Sequence, residues 1–193
     1  YAYEALVRGP NGEGAGSVLS QVDHHNRYYF DQAARVTAIR LAAQREIETR
    51  LSINFMPNAV YTPASCIRTT LAAADEFGFP RERVIFEITE TERINRLDHL
   101  KNIVHHYRQI GFLTAIDDFG SGFAGLNLLA EFQTDIVKLD MGLVRGIDEN
   151  PARQAIVRGL LQAADEMGIR VIAEGVETGA ELAFLEAEGV RLF

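Results

Sequence analysis

The stretch "AIDDFGSGF", Ala115 to Phe123, ends an apolar run on two adjacent carboxylates, Asp117 and Asp118, and follows them with a loop rich in glycine. Neighbouring like charges repel and are costly to strip of water, so such a pair calls either for solvent or for a positive charge beside it. Further isolated polar residues stand in or just after apolar runs: Glu4, Asn54, Glu87, Lys138 and Glu174. All but Lys138 are oxygen donors. No cysteine and no helical histidine pair at metal spacing accompanies them; His24, His25, His105 and His106 fall in helical or loop contexts and read as surface residues. Oxygen-only ligation selects hard cations, Mg²⁺ or Mn²⁺, with Ca²⁺ fitting but looser in geometry. Two such ions about 3.5 to 4 Å apart can share a bridging acid, which makes adjacent negative charges favourable. Lys138 in such a ring could orient an attacking water, accept its proton or stabilise a phosphate oxygen, and residue type alone does not choose among these roles. Lys138 and Asp140, two apart in a strand, are expected to share a face. Alone, Asp118 before "FGSG" reads as a turn residue, and Glu4 or Asn54 as solvent-facing residues of an edge strand. The conjunction of five or six such exceptions at equivalent strand positions is what points to a site.

The elements that must position these residues alternate. Apolar runs of strand length are "AYEALV" (2–7), "LSINF" (51–55), "RVIFEI" (83–88), "LTAID" (113–117), "IVKLD" (136–140), "RVIAE" (170–174) and "VRLF" (190–193). Segments with helical periodicity lie between them. Leu97, Leu100, Val104 and Tyr107 form one apolar face, and Ile156, Leu160, Ala163, Ala164 and Met167 another. Gly78, Gly111, Gly168 and Gly189 fall where helices are expected to close before a strand begins. Helix, glycine, buried strand is the pattern of a parallel sheet covered on both faces. The isolated polar residues lie 21 to 50 positions apart along the chain, one per strand. A closed (βα) barrel gathers all strand ends at one mouth, whereas an open sheet spreads them along a line, so the pattern favours the barrel. The loop and helix of "GSGFAGLNLL" read as a lid or as a tight βα turn.

The chain has 193 residues and a net charge of −8, which leaves no basic stripe for duplex nucleic acid. A phosphate-bearing ligand would need a local arginine or a metal to reverse the field. No apolar run approaches the roughly 18 to 20 residues that span a bilayer. Cys66, the single cysteine, excludes an intramolecular disulfide and reads as a small apolar helical residue, and a cytoplasmic location is expected.

In order along the chain stand Glu4-Ala5-Leu6 within "EALVR", "INFMP" around Asn54, "EITE" from Glu87 to Glu90, "DDFGSGFAGLNLL", "KLD" at 138–140 and "AEGVET" from Ala173. With these motifs the chain resembles the EAL domain, the bacterial phosphodiesterase that opens cyclic di-GMP, over nearly its whole length. The resemblance implies a modified TIM-type (βα)8 barrel with one antiparallel strand, incomplete at both chain ends, and one domain over 1–193. It implies two ions, Mg²⁺ or Mn²⁺: Glu4, Asn54, Glu87 and Asp117 as ligands of the first, and Asp117, Asp118 and Glu174 of the second. Lys138 matches the lysine assigned as general base or water positioner, and Glu90 the glutamate that braces the loop after the paired aspartates; with Glu174 these make up the expected catalytic group. Arg8 matches the arginine on a substrate phosphate, and Glu4, Leu6, Asp140 and Glu177 complete the expected substrate contacts. A homodimer through the loop and helix after Asp118 is implied as well.

There are departures. Phe55 and Met56 stand where the family commonly has a small polar residue before proline. The sequence ends at Phe193, where the family usually continues with a Gln-Gly pair, and it lacks the strand that normally precedes the EAL tripeptide. EAL domains are commonly attached to sensor or GGDEF domains, so the resemblance implies a piece of a larger regulator, and "EALVRGPNGEGAGSVLSQV" is similar to members fused to blue-light flavin sensors. The leading expectation is hydrolysis of cyclic di-GMP to linear pGpG by in-line attack of water. A sensor that binds the nucleotide without cleaving it, and a metal-dependent barrel enzyme acting on a small carboxylate, are the competing readings.

Overall fold

The computed structural model describes residues 1–89, 96–122 and 125–193. The chain resolves into two compact units. The first holds residues 2–87 and 96–113, and the second holds 88–89, 114–122 and 125–193 together with Tyr1.

In the first unit the elements run β1 (Ala2–Ala5), α1 (Ala15–Leu19), α2 (Arg27–Gln44), β2 (Arg50–Asn54), α3 (Pro63–Cys66), α4 (Arg68–Phe77), β3 (Val84–Thr89, through Glu87 here) and α5 (Leu97–Gln109). β1 pairs with β2, and β2 with β3, both parallel, with Glu4 opposite Ser52 and Asn54 opposite Glu87. β2 and β3 are buried along most of their length, as parallel strands covered on both faces must be. α5 buries Leu100, Ile103, Val104 and Tyr107, the face its periodicity predicts. Beneath the strands Phe55, Phe86, Tyr107 and Phe112 pack as an aromatic cluster with Phe86 at its centre, 4.9 Å from the Tyr107 ring and 5.2 Å from that of Phe112. Cys66 is buried with a free thiol, in the expected apolar role.

The second unit continues with β4 (Leu113–Phe119, from Thr114 here), α6 (Gly125–Glu131), β5 (Ile136–Leu139), α7 (Met141–Val144), α8 (Pro151–Glu166), β6 (Arg170–Ala173) and α9 (Gly179–Ala187). β4–β5 and β5–β6 are parallel. α8 starts where Asn150 accepts from the amides of Ala152 and Arg153 with proline at the first helical position, and α9 opens on a Thr178/Glu181 capping box.

The α/β class is borne out, parallel strands alternating with helices in each unit. The antiparallel strand of the family barrel is not among the described pairings. The four helix-closing glycines all have positive φ, between 68° and 98°. Two expectations change. Val190–Phe193 is not a strand: its one backbone bond to a strand among the described residues runs from the Ala173 amide to the Leu192 carbonyl, too little for a ladder, and the Val190 amide turns back to the Leu185 carbonyl of α9. On α8 the buried stripe is Val157, Leu160 and Ala164, while Ile156 and Met167 are exposed; the helix is apolar on two overlapping stripes, and packing selected the other one. No helix among the described residues is long and apolar enough to cross a membrane.

Candidate functional site

In the second unit the paired aspartates sit on an irregular strand. Ile116 lies opposite Val137 and Phe119 opposite Leu139, so three steps along β4 match two along β5, and the extra residue falls at Asp117–Asp118. Asp118 takes the left-handed conformation, φ 53°, which aspartate tolerates better than most residues with a Cβ. Successive side chains of a regular strand point to opposite faces; this bulge turns two neighbours the same way. Asp117, Asp118 and Glu174 thereby offer carboxylate oxygens that all lie within 4.8 Å of one another. The turn reading of Asp118 holds too, because its carbonyl accepts from the Ser121 amide at 3.0 Å.

Lys138, buried on β5, places Nζ 2.8 Å from Asp117 Oδ1 and 2.9 Å from Glu174 Oε1. It thus bridges two of the three acids. Three carboxylates against one ammonium leave an excess of negative charge on hard oxygen donors, and that chemistry fits a divalent cation such as Mg²⁺ or Mn²⁺. Asp140 stands just past the end of the strand that carries Lys138, still extended, with its amide donating to the Phe119 carbonyl at 3.1 Å. β5 ends at Leu139, and the Asp140 carboxylate caps α7, accepting from the Gly142 amide at 2.8 Å.

Two close approaches hold the acid-bearing loops against α7. A Cβ on Gly120 would come within 2.3 Å of Leu143 Cδ1, and one on Gly175 within 2.6 Å of Met141 Cβ, and both residues have positive φ. Beyond Glu174, whose amide donates to the Leu139 carbonyl, the loop is tied down by Glu181. Glu181 accepts from the amides of Gly146 at 2.7 Å and of Glu177 and Thr178 at 2.9 Å each. These backbone donors, Gly146 first, hold its carboxyl at about 2, well below the usual carboxylate range. The Glu177 side chain pairs with Arg145.

The first unit carries the other donors. Asn54 Nδ2 donates to Glu4 Oε1 at 2.8 Å, which engages the amide nitrogen and leaves the carbonyl oxygen as a hard donor. Glu87, opposite Asn54 in register, is buried. Leu6 and Arg8 are exposed, and Arg8 lines an open cavity of about 550 Å³ with Glu13, Ser17, Gln21, Asn26 and Tyr29. Glu90, expected to brace the loop after the aspartates, lies outside the described residues.

Two groups escaped the sequence reading. Asp31 and Arg35, on the buried face of α2, form an ion pair at 2.7 Å. Burial pushes the Asp31 carboxyl up, offset in part by Arg35 and by the Met56 amide. Their signal was an Asp and an Arg four apart on a helix, a pattern that ordinarily marks a surface pair. Glu181 is the second, and its signal was legible as the T-x-x-E capping box.

Comparison with known proteins places this geometry. The EAL domain profile matches residues 1–193. The chain is 55% identical to a standalone versatile EAL protein from Vibrio cholerae O395, solved with c-di-GMP bound, with a TM-score of 0.94 over 99% of this chain and 81% of that one. It is 36% identical to Klebsiella pneumoniae BlrP1, solved as a manganese/cyclic di-GMP complex, with a TM-score of 0.92 over 100% of this chain and 49% of that one. Among curated proteins it is 30% identical to the blue light- and temperature-regulated antirepressor BluF of Escherichia coli K12, over the whole of this chain and 48% of BluF. It is 36% identical to the cyclic di-GMP phosphodiesterase PdeR of the same organism over 60% of this chain and 18% of PdeR. The chain thus spans about half the length of one of these curated relatives and less of the other.

Proposed function

Because this chain belongs to the EAL domain family, we propose that it is a metal-dependent phosphodiesterase that opens cyclic di-GMP to linear 5′-pGpG. The observation that carries the reading is the meeting of Asp117, Asp118 and Glu174 within 4.8 Å around the Lys138 ammonium. Two divalent ions, when bound, would supply Lewis-acid activation of a water and neutralise charge on the phosphate. Asp117, Asp118 and Glu174 would hold one, and Glu4, Asn54 and Glu87 would serve the other, with Asp117 as the further ligand the family pattern assigns. Lys138, fixed by two carboxylates, would orient the attacking water and assist its deprotonation, and Arg8 would contact a substrate phosphate. Leu6, Asp140 and Glu177 are retained as expected substrate contacts, and Glu90 as the expected brace. A homodimer through the loop and helix after Asp118 belongs to the same reading; Leu126, 70% exposed on α6, supports it. So does a covalently linked sensor or GGDEF domain, supported by the greater length of the relatives.

The test is incubation with cyclic di-GMP and Mg²⁺ or Mn²⁺ and detection of pGpG. Asp117→Asn is expected to remove most turnover, since the loss of a ligand should exceed the about 10- to 100-fold cost of losing a residue that only supports one. Near-normal turnover in that variant would overturn the two-ion reading. The likeness to BluF, named an antirepressor, over the whole chain favours one second reading, a sensor that binds cyclic di-GMP without hydrolysis. Binding without product would select it.

A further inference from the structure

Among the described residues, a fully buried guanidinium lies in the first unit, on the opposite side of the strands from the oxygen donors. Arg35 Nη2 meets Asp31 Oδ2 at 2.7 Å, and Nη1 donates to the Tyr107 hydroxyl at 2.8 Å. The guanidinium carbon stands 5.2 Å from the centre of the Phe55 ring, 5.0 Å from that of Phe86 and 5.7 Å from that of Tyr107. Phe55 follows Asn54 and Phe86 precedes Glu87, and the two donors face each other in register. Neighbouring residues of a strand point to opposite faces, so the cation rests against the reverse side of both donor positions.

Asp31 completes the support. The hydrogen-bonded ladder reaches Phe55, whose amide donates to the Glu87 carbonyl at 3.2 Å. The next amide, Met56, donates to Asp31 Oδ1 at 3.0 Å. The carboxylate therefore divides its oxygens between Arg35 and the backbone two residues beyond Asn54, holding the chain where regular pairing stops. Burying an ion pair is a poor way to add stability, since apolar replacements of similar volume are often no worse. The departure at Phe55 and Met56 also acquires a role: the aromatic ring receives the cation and the methionine amide receives the acid.

We propose that Asp31 and Arg35 are positioning residues that set the geometry of Asn54 and Glu87 for a divalent cation, an inference that rests on the metal-dependent reading above. The test replaces both charges at once, Asp31→Leu with Arg35→Met, so that no buried ion is left alone. Two measurements on metal-free protein read the outcome: titration with Mn²⁺, and hydrogen exchange at the Met56 amide. The expected result is a folded variant with a melting temperature close to wild type, Mn²⁺ binding weakened by about 10-fold or more, and faster exchange at Met56. A folded variant with unchanged Mn²⁺ affinity overturns the proposal and leaves the phosphodiesterase reading standing. Failure of the wild type to bind Mn²⁺ overturns that parent reading and this one with it. If the double variant does not fold, the wild type still decides: a Met56 amide exchanging as fast as an exposed loop overturns the proposal, and one protected like the β2 amides supports it.

Discussion

The two sets of oxygen donors are supported by opposite electrostatics. Glu4, Asn54 and Glu87 stand on three paired strands, one of them is a neutral amide, and the buried cation Arg35 lies behind Asn54 and Glu87, against Phe55 and Phe86. Asp117, Asp118 and Glu174 are all charged, and their cation, Lys138, stands in their midst. A cation behind the strands can support the donors without competing for their oxygens. A cation among the acids occupies those oxygens, and it is placed to take part in chemistry. The difference teaches that removal of Arg35 and removal of Lys138 should damage different properties.

The largest expected effect breaks the comparison directly. Lys138→Met should lower kcat by about 10²- to 10⁴-fold, the range for loss of a general acid or base. It should also lower the melting temperature of the metal-free protein, because Asp117 is buried and loses its counter-charge, and Mn²⁺ should restore more of that temperature than it adds to wild type. Equal Mn²⁺ gains in the two proteins would show that the ammonium and the metal do not share the acids.

A smaller effect sharpens it. Asp118→Gly relieves a left-handed residue and removes a carboxylate from the acid cluster. Stability measured by denaturant is expected to rise by about 0.5–1 kcal/mol while Mn²⁺ binding weakens. No such exchange is expected at Glu4 or Asn54, which lie on the regular strands of the first unit.

The smallest effect is one of pH. Glu181 has a folded value near 2 against an ordinary 4.5, so its contribution is fully present above about pH 4.5 and is lost as pH falls toward 2. Asp31 is shifted the other way, so its protonation on acidification favours the folded state. Protection of the Gly146 and Thr178 amides, relative to free amides at the same pH, should therefore fall with acid more than protection of Met56. Glu181→Gln should flatten that response, and identical profiles in variant and wild type would sink the assignment.

Much of this was legible locally. Helix-closing glycines, apolar strands and the polar exception on each strand follow from residue type and spacing, because capping and burial act over a few positions. What escaped depends on neighbours distant in sequence. The bulge at Asp117 exists only in register with β5, and a strand read by itself alternates. The capping role of Asp140 depends on where β5 stops. Arg35 was invisible because a charged residue on α2 gives no hint that Phe55, Phe86 and Tyr107 will surround it. Val157 displaced Ile156 for the same reason: two apolar stripes were available and tertiary packing decided.

The extra residue in β4 also sets a rule for anyone who would graft this chemistry elsewhere. Copying two consecutive aspartates into an ordinary scaffold would send one inward and one outward, and the pair would never meet. What must be transplanted is the kink, with its mismatched count against the adjoining strand; the side chains are the easier part to move.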